Sequence, residues 1–289
     1  MTKTALVLGG GGMLGVSWAT GVIAGLGDAG VDVTGADRIV GTSAGSIVST
    51  QISQGRSLDE MVEWHHAPRD PDAIELNMEI DLPNMMAIFT KWAAFTEMTP
   101  ENCAEIGAMA LASKTVEEDR WIESFEDLID ADWPDRDMVL TAVDAESGAL
   151  QTWTRDSGVA IHLAIASSCS VPGLFPPVLI NGRHYQDGGV RSATNADLAA
   201  GFDTVLIVAP IGARSDGIDP ISKRLATAEA EALRAAGASV ELAFPDEVSQ
   251  EAMGINRMDS SRRGLCVDAG REQGRSLAGR IAAWAQAAA

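Results

Sequence analysis

The chain has 289 residues, 46% of them hydrophobic, and a formal net charge of −20 at pH 7. That length and apolar content suit one large α/β domain or two small ones with a substantial core. The charge argues against nucleic acid, whose phosphates call for clustered Lys and Arg, and against electrostatic docking on anionic lipid; a solvated acidic surface is the plain reading.

Three cysteines, Cys103, Cys169 and Cys266, are widely spaced and form no Cys-x-x-Cys or zinc pattern. Reduced thiols in a cytoplasmic protein are therefore expected, with no metal or cofactor. The first residues lack the cationic region and cleavage site of a signal peptide, and no apolar run reaches the roughly 18 residues of a membrane span.

In chain order, Thr4 to Leu8 is a β-rich apolar run and predicts a buried strand. It empties into Gly9-Gly10-Gly11-Gly12-Met13-Leu14-Gly15, after which Val16 to Leu26 predicts a helix. A glycine-rich turn lets backbone amides approach negative charge, and two functions use one. In a dinucleotide-binding fold, Gly10, Gly12 and Gly15 would satisfy Gly-x-Gly-x-x-Gly between strand and helix. The other use is an oxyanion hole.

The next unit separates the two readings. Val31-Asp32-Val33 lies where a ribose-binding acid is wanted, but the chain turns on through Thr34-Gly35-Ala36-Asp37 to Ile39-Val40 and Gly41-Thr42-Ser43-Ala44-Gly45. A strand, Gly-x-Ser-x-Gly and a helix starting near Ser46 make a nucleophile elbow, in which Gly41 and Gly45 keep the sharp turn at Ser43 unobstructed. A plain Gly/Ser turn matches the pentapeptide equally well. A glycine loop one β-α unit away adds an amide cradle beside the serine, the geometry of acyl transfer. Hydrolase is favoured, with a nucleotide-binding α/β protein as the alternative.

Residues 52–134 form a helical, cap-like insertion in what reads as a single domain over 1–289. Within it, Met85, Ile88, Phe89, Trp92 and Phe95 follow helical spacing in one apolar stripe. Packing on the core is the commoner use of such a stripe; an acyl-chain groove or a surface that touches lipid is the functional one. The Pro/Asp-rich stretch 70–83 precedes it, and Trp121 to Ile129 predicts another helix. Met138 to Val143 predicts a strand with Leu150 to Thr154 as its hairpin partner, Ile161 to Ser168 a helix, and His184-Tyr185-Gln186 a strand. Asn195 to Gly201 reads as a helix, Thr204 to Ala209 as a buried parallel strand, Pro220 to Ala238 as an amphipathic helix, Val240 to Phe244 as a further strand and Arg263 to Ala288 as mostly helix.

A serine needs a base within hydrogen-bond reach. His65 and His66 sit in the helical insertion and His162 at a helix start; Ser43, Asp144 and His184 have a triad's order and nothing else to recommend them. Asp187 is the better candidate. It ends the aromatic-containing strand and precedes Gly188 and Gly189, which let the backbone turn closely past a neighbour. A desolvated carboxylate against a serine can take its proton. An Asp-Gly turn is the simpler use of the same residues, and only the elbow tips the balance.

The first-turn glycines, the Gly-Thr-Ser-Ala-Gly elbow, Ser167-Ser168-Cys169-Ser170-Val171-Pro172-Gly173-Leu174-Phe175-Pro176-Pro177 and Asp187-Gly188-Gly189, in this order, strongly resemble the patatin-like phospholipases. The resemblance implies a three-layer α/β/α sandwich with a mainly parallel sheet, and hydrolysis of lipid acyl esters through an acyl-enzyme. It further implies Ser43 as nucleophile, Asp187 as base without histidine, and the amides of Gly10, Gly11 and Gly12 as oxyanion donors. Ser170 to Pro177 would wall the dyad, with Cys169 in a packing role. The expected partner is a lipid or small acyl ester, with transient contact to a membrane surface. Leu14 departs from the basic residue the family usually carries before Gly15, which leaves a weak esterase or a non-catalytic lipid-binding relative as further alternatives.

Overall fold

Residues 2–68, 81–126, 128–212, 220–281 and 284 are described by a computed structural model. Their core is an eight-stranded sheet. β1 (Thr4–Leu8), β2 (Arg38–Thr42) and β3 (Met138–Asp144) are joined by α1 (Gly12–Asp28), α2 (Ala44–Ser53), α3 (Leu58–His66), α4 (Leu82–Ala94), α5 (Pro100–Leu111) and α6 (Glu118–Glu123). Then come β4 (Leu150–Trp153), α7 (Ile161–Ser168), β5 (Val178–Ile180), β6 (Arg183–Asp187), β7 (Thr204–Val208), α8 (Ile221–Ala235), β8 (Ser239–Ala243), α9 (Glu247–Met253) and α10 (Arg263–Leu277). β3, β2, β1, β7 and β8 run parallel, whereas β4 and β6 pair antiparallel with β3, and β5 with β6.

The period of two within each strand divides the core. Leu6, Leu8 and Ile39 pack under α1, α2 and α10, and Met138, Leu140 and Ala142 continue that face under α7. Ala5, Val7 and Val40 face α8, and Val143 faces α4 and α5. The result is a three-layer α/β/α sandwich.

The register at β3 builds the site. β2 pairs with β3 as far as Thr42 against Thr141. β4 takes the opposite edge from Leu140 to Val143, so β6, which pairs with Ala142 to Asp144, must enter on the edge that β2 has just left. Its last residue, Asp187, pairs with Ala142, one register position beyond Thr42. The end of β6 is thereby delivered to the turn that carries Ser43.

Several sequence-based expectations shift. Val31 to Val33 is irregular, with Asp32 capping the Thr34 amide, so it supplies no acid at a strand end for a ribose. Trp121 to Ile129 is helical only to Glu123 before it breaks into turns, and Asn195 to Gly201 holds only a 3-10 turn over Ala196–Ala199. β5 and α9 were not anticipated. Within the 52–134 insertion α3 is no cap: Met61 and Val62 pack with α1 and α10. Most of the 70–83 stretch and nearly all of the expected helix beyond Ile281 lie outside the described residues.

α10 clamps α1. Trp18 Nε1 donates to Gln273 Oε1 at 3.1 Å, and glycines on both helices bring the two backbones together. A Cβ on Gly25 would lie 2.8 Å from the Arg271 carbonyl carbon and closer still to its oxygen. In an open helix, Gly→Ala gains up to about 1 kcal/mol. Here overpacking by about 1–3 kcal/mol decides the sign. Gly25→Ala is expected to lower the urea midpoint; an unchanged or higher midpoint would show that the helices do not pack this closely.

Candidate active site

Ser43 sits between β2 and α2 with φ 53° and ψ −122°, in backbone space that costs a residue with a Cβ roughly 1–3 kcal/mol. The neighbouring glycines are dictated by packing. A Cβ on Gly45 would lie 2.9 Å from Leu8 Cβ and closer still to the Leu8 carbonyl, and one on Gly41 would lie 2.8 Å from Ser46 Cα. The turn therefore closes tightly over the end of β1, and the Ser43 amide is held at 2.9 Å by Ser168 Oγ at the end of α7.

The expected wall begins at Ser170, and the serines at and just before its start, Ser167, Ser168 and Ser170, each have their own bond. Ser167 Oγ accepts from Trp153 Nε1, Ser168 Oγ accepts from Ser43, and Ser170 Oγ accepts from Trp121 Nε1. The Ser170 carbonyl accepts the Asp187 amide at 2.9 Å. One short segment thus fixes the backbones of both proposed catalytic residues. Cys169 is buried among them, its Sγ 3.6 Å from Ser46 Oγ, and burial pushes its thiol far up, against any thiolate role.

Asp187 is 3% exposed. Its Oδ1 accepts the Gly189 amide at 2.7 Å, which fixes the carboxylate plane. Its Oδ2 is buried without a hydrogen-bond partner of full geometry. Desolvation raises its pKa to about 7; the nearby Ser43 hydroxyl and the Gly189 amide act in the opposite sense. The serine is thus close enough to be felt electrostatically, while the bond itself remains loose, as is common in unliganded sites. Gly188 lets β6 pass β3: a Cβ there would lie 2.6 Å from the Thr141 carbonyl oxygen.

Beneath the pair lies a residue that sequence reading missed. Asn195, at φ 48°, places Nδ2 2.7 Å from the Ser192 carbonyl, 3.2 Å from the Gly188 carbonyl, 3.1 Å from Thr42 Oγ1 and 3.3 Å from Thr141 Oγ1. It joins the residue before Ser43 to the residue after Asp187. Arg191, itself paired with Asp197, donates to Asn195 Oδ1. Glu229 of α8, largely buried and with its pKa raised by desolvation, accepts from Thr194 Oγ1 and the Ala196 amide. The available signal was two buried-type polar residues, Thr194 and Asn195, just past the Asp-Gly-Gly turn.

The glycine loop requires one correction. The Gly10 amide donates to the Ala193 carbonyl at 2.8 Å and is not free to hold an oxyanion. Gly10 instead brings the backbone against the serine, since a Cβ there would lie 3.1 Å from Ser43 Cβ. The amides of Gly11, the N-cap of α1, and of Gly12, at φ +67°, have no hydrogen-bond partner among the described residues. Gly15 packs on Pro210, and a Cβ there would lie 3.2 Å from the Pro210 ring. Leu14 is fully buried in the core around Trp18, and its amide donates to the Arg257 carbonyl at 3.0 Å, so position 14 anchors the loop by packing and backbone.

Three of the four histidines are engaged elsewhere. His65 Nδ1 is 3.1 Å from Ser17 Oγ, and burial pulls its pKa down to about 3. His66 pairs with Asp268 and His184 with Glu146. Asp144 accepts the Glu146 and Ser147 amides and pairs with Arg183, so Ser43, Asp144 and His184 do not assemble.

Among curated proteins, none matches this sequence. The fold is similar to the crystal structure of VipD from Legionella pneumophila, at 14% identity and a TM-score of 0.47 over 96% of this chain and 67% of that one. Residues 6–200, which contain the glycine loop, the elbow and the Asp-Gly-Gly turn, match the family described as patatin-like phospholipase. The chain belongs to the patatin-like phospholipase family.

Proposed function

We propose that this chain hydrolyses carboxylic esters of lipids by a Ser43–Asp187 dyad through an acyl-enzyme. Family membership implies lipid acyl hydrolysis in general. The finer assignment is carried by one observation: a buried carboxylate with an unpartnered oxygen beside a strained serine. Ser43 Oγ attacks the ester carbonyl as its proton passes to Asp187 Oδ2. The amides of Gly11 and Gly12 receive the oxyanion, at the N-terminus of α1 where negative charge is favoured. Asp187 returns the proton to the departing alcohol and then takes one from water as that water attacks the acyl-enzyme carbonyl. When the bond to Ser43 Oγ breaks, Asp187 gives this proton to the serine oxygen, releasing the acid and restoring both residues.

The lowered acidity of Asp187 suits that cycle. A carboxylate of ordinary pKa is too weak a base for a serine hydroxyl, and general-base efficiency is best with a pKa near working pH. Among the described residues no cation partners Asp187, so desolvation acts on it unopposed by charge. The nucleotide alternative lacks a strand-end acid, and Gly10, the first glycine of its motif, has its amide bonded to Ala193.

Hydrolysis of p-nitrophenyl esters by the wild type, Ser43→Ala and Asp187→Asn tests the proposal. Both variants should retain the fold and lose at least about 10³-fold in kcat/KM. Turnover that survives in either folded variant would remove that residue from the mechanism, and turnover absent from all three would sink the hydrolase reading.

Because Asp187 must be ionised to act, kcat/KM should rise with pH through a midpoint near 7 and level off above it. Stability should run the other way. The native pKa is raised, so the folded state holds its proton up to about pH 7, whereas the unfolded chain gives it up near 4. Stability is therefore lost as pH rises between these values, by about 4 kcal/mol in full. Asp187→Asn is expected to raise the urea midpoint at pH 8, with the gain vanishing near pH 4. A variant that is no more stable than wild type at pH 8 would mean the carboxylate is solvated.

A further inference from the structure

α4 breaks the usual rule for a surface helix, in which the outer face is polar. Its inner side is conventional: Ile88 is fully buried with Cys103, Ile106, Val143 and Val190, and Trp92 and Phe95 pack at the edge of that cluster. Its outer side is not. Leu82, Met86 and Phe89 follow one another at i, i+4 and i+7, and are 57%, 58% and 38% exposed. Lys91 is the one ionisable residue in the helix, and it is paired with Glu105 at 2.6 Å. At the N-terminal end, Asn84 Nδ2 donates to Ser113 Oγ, which draws in the end of α5 with its own exposed Leu111.

The position of this stripe matters as much as its composition. Gly173 makes room for α4: a Cβ there would lie 2.7 Å from Ile88 Cδ1 and 3.4 Å from Met85 Cα. Gly173 belongs to the same segment whose Ser168 and Ser170 hold the backbones of Ser43 and Asp187. Val190, in the Ile88 cluster, follows Asp187 by three residues. The uncharged outer face therefore rides on the wall of the dyad.

Resting on the lipid-hydrolase reading above, we propose that the Leu82–Met86–Phe89 face of α4 docks the enzyme onto the surface of electrically neutral lipid aggregates and sets its access to lipid-borne esters. Charge selects the occupant. A stripe with no ionisable side chain attracts neither sign, while a net charge of −20 repels anionic bilayers, leaving zwitterionic or uncharged lipid surfaces. Among the described residues no helix is long and apolar enough to cross a membrane, so this contact lies in the interface plane.

Flotation of the full chain carrying Ser43→Ala with phosphatidylcholine vesicles tests docking without turnover. The protein should float, do so equally at high salt, and float less as phosphatidylglycerol is added. The triple substitution Leu82→Gln, Met86→Gln, Phe89→Gln, confined to exposed positions, should cut the bound fraction about tenfold. In the Ser43 background the same triple should lower hydrolysis of vesicle-borne ester about tenfold while soluble p-nitrophenyl butyrate turns over within about twofold of wild type. Failure of the parent to float, or equal flotation of the triple, would overturn docking even if soluble ester is turned over. A dimer in solution that the triple dissolves would overturn it too, by making the stripe a contact between copies. Flotation without turnover of any ester would instead sink the hydrolase reading and leave the docking surface in place.

Discussion

One edge of β3 is shared by two strands that arrive from opposite directions, and the site follows from that. β2 uses it up to Thr141 and leaves through a turn that folds its serine back over β1; β6 uses it from Ala142 onward and ends on the aspartate. Side-chain flexibility contributes little to bringing Ser43 and Asp187 together. Their proximity is a register property of a hydrogen-bonded ladder, and a one-residue slip would turn Asp187 to the other face of the sheet. The close passages at Gly45 and Gly188 allow the two chain reversals to occupy so little space.

Such a junction leaves many backbone groups to satisfy in a buried place, and the polar residues around it do that work. Asn195 is the hub. Its two Nδ2 hydrogens cannot serve four acceptors at once, but the Thr42 and Thr141 hydroxyls, 2.8 Å apart, can turn to donate in their turn. Ala193, two residues earlier, holds Gly10, so the loop after Asp187 reaches all three parts of the site: serine, acid and glycine loop. α8 steadies this loop through Glu229, and the loop before α10 steadies the glycine turn through the Arg257 carbonyl. Both supports lie beyond residue 200, outside the stretch that the family description matches.

The sequence made legible what depends on local chemistry. The run Thr4–Leu8, the hairpin of β3 with β4, the helix at Ile161 and the parallel strand at Thr204 were all readable from periodicity and turn residues. So were the elbow and the Asp-Gly-Gly turn, whose glycines are demanded by neighbours a few ångströms away. What could not be read was set by tertiary partners. Asn195 looked like a helix start because the partners that set its place, Thr42 and Thr141, come from two distant strands. Gly10 looked like a donor equal to Gly11 and Gly12 because nothing local reveals the Ala193 carbonyl. The apolar residues at 85–95 were read as one stripe, whereas the helix divides them: Ile88 and Trp92 turn inward, and Phe89 joins Leu82 and Met86 outside.

Two aspartates near the same ladder show how environment assigns roles. Asp144 closes β3 and pairs in register with Tyr185, two residues before Asp187. Both carboxylates are nearly inaccessible, at 6% and 3% exposure. Asp144 has the Arg183 guanidinium and two backbone amides, and the arginine bond leads in pulling its pKa down to about 2. Such an acid is ionised at every working pH and is too weakly basic to take a proton from a serine. Asp187 has one amide, one loose hydroxyl and, among the described residues, no cation, so desolvation lifts it to about 7. Surface exposure alone would not separate them; Asp187 lies deeper in the protein, and Asp144 has the cationic partner that Asp187 lacks among the described residues. Placing a cation beside Asp187 would stabilise the fold and remove the proposed base, so the unpaired oxygen at the end of β6 is destabilising for the same reason that it suits the proposed proton transfer.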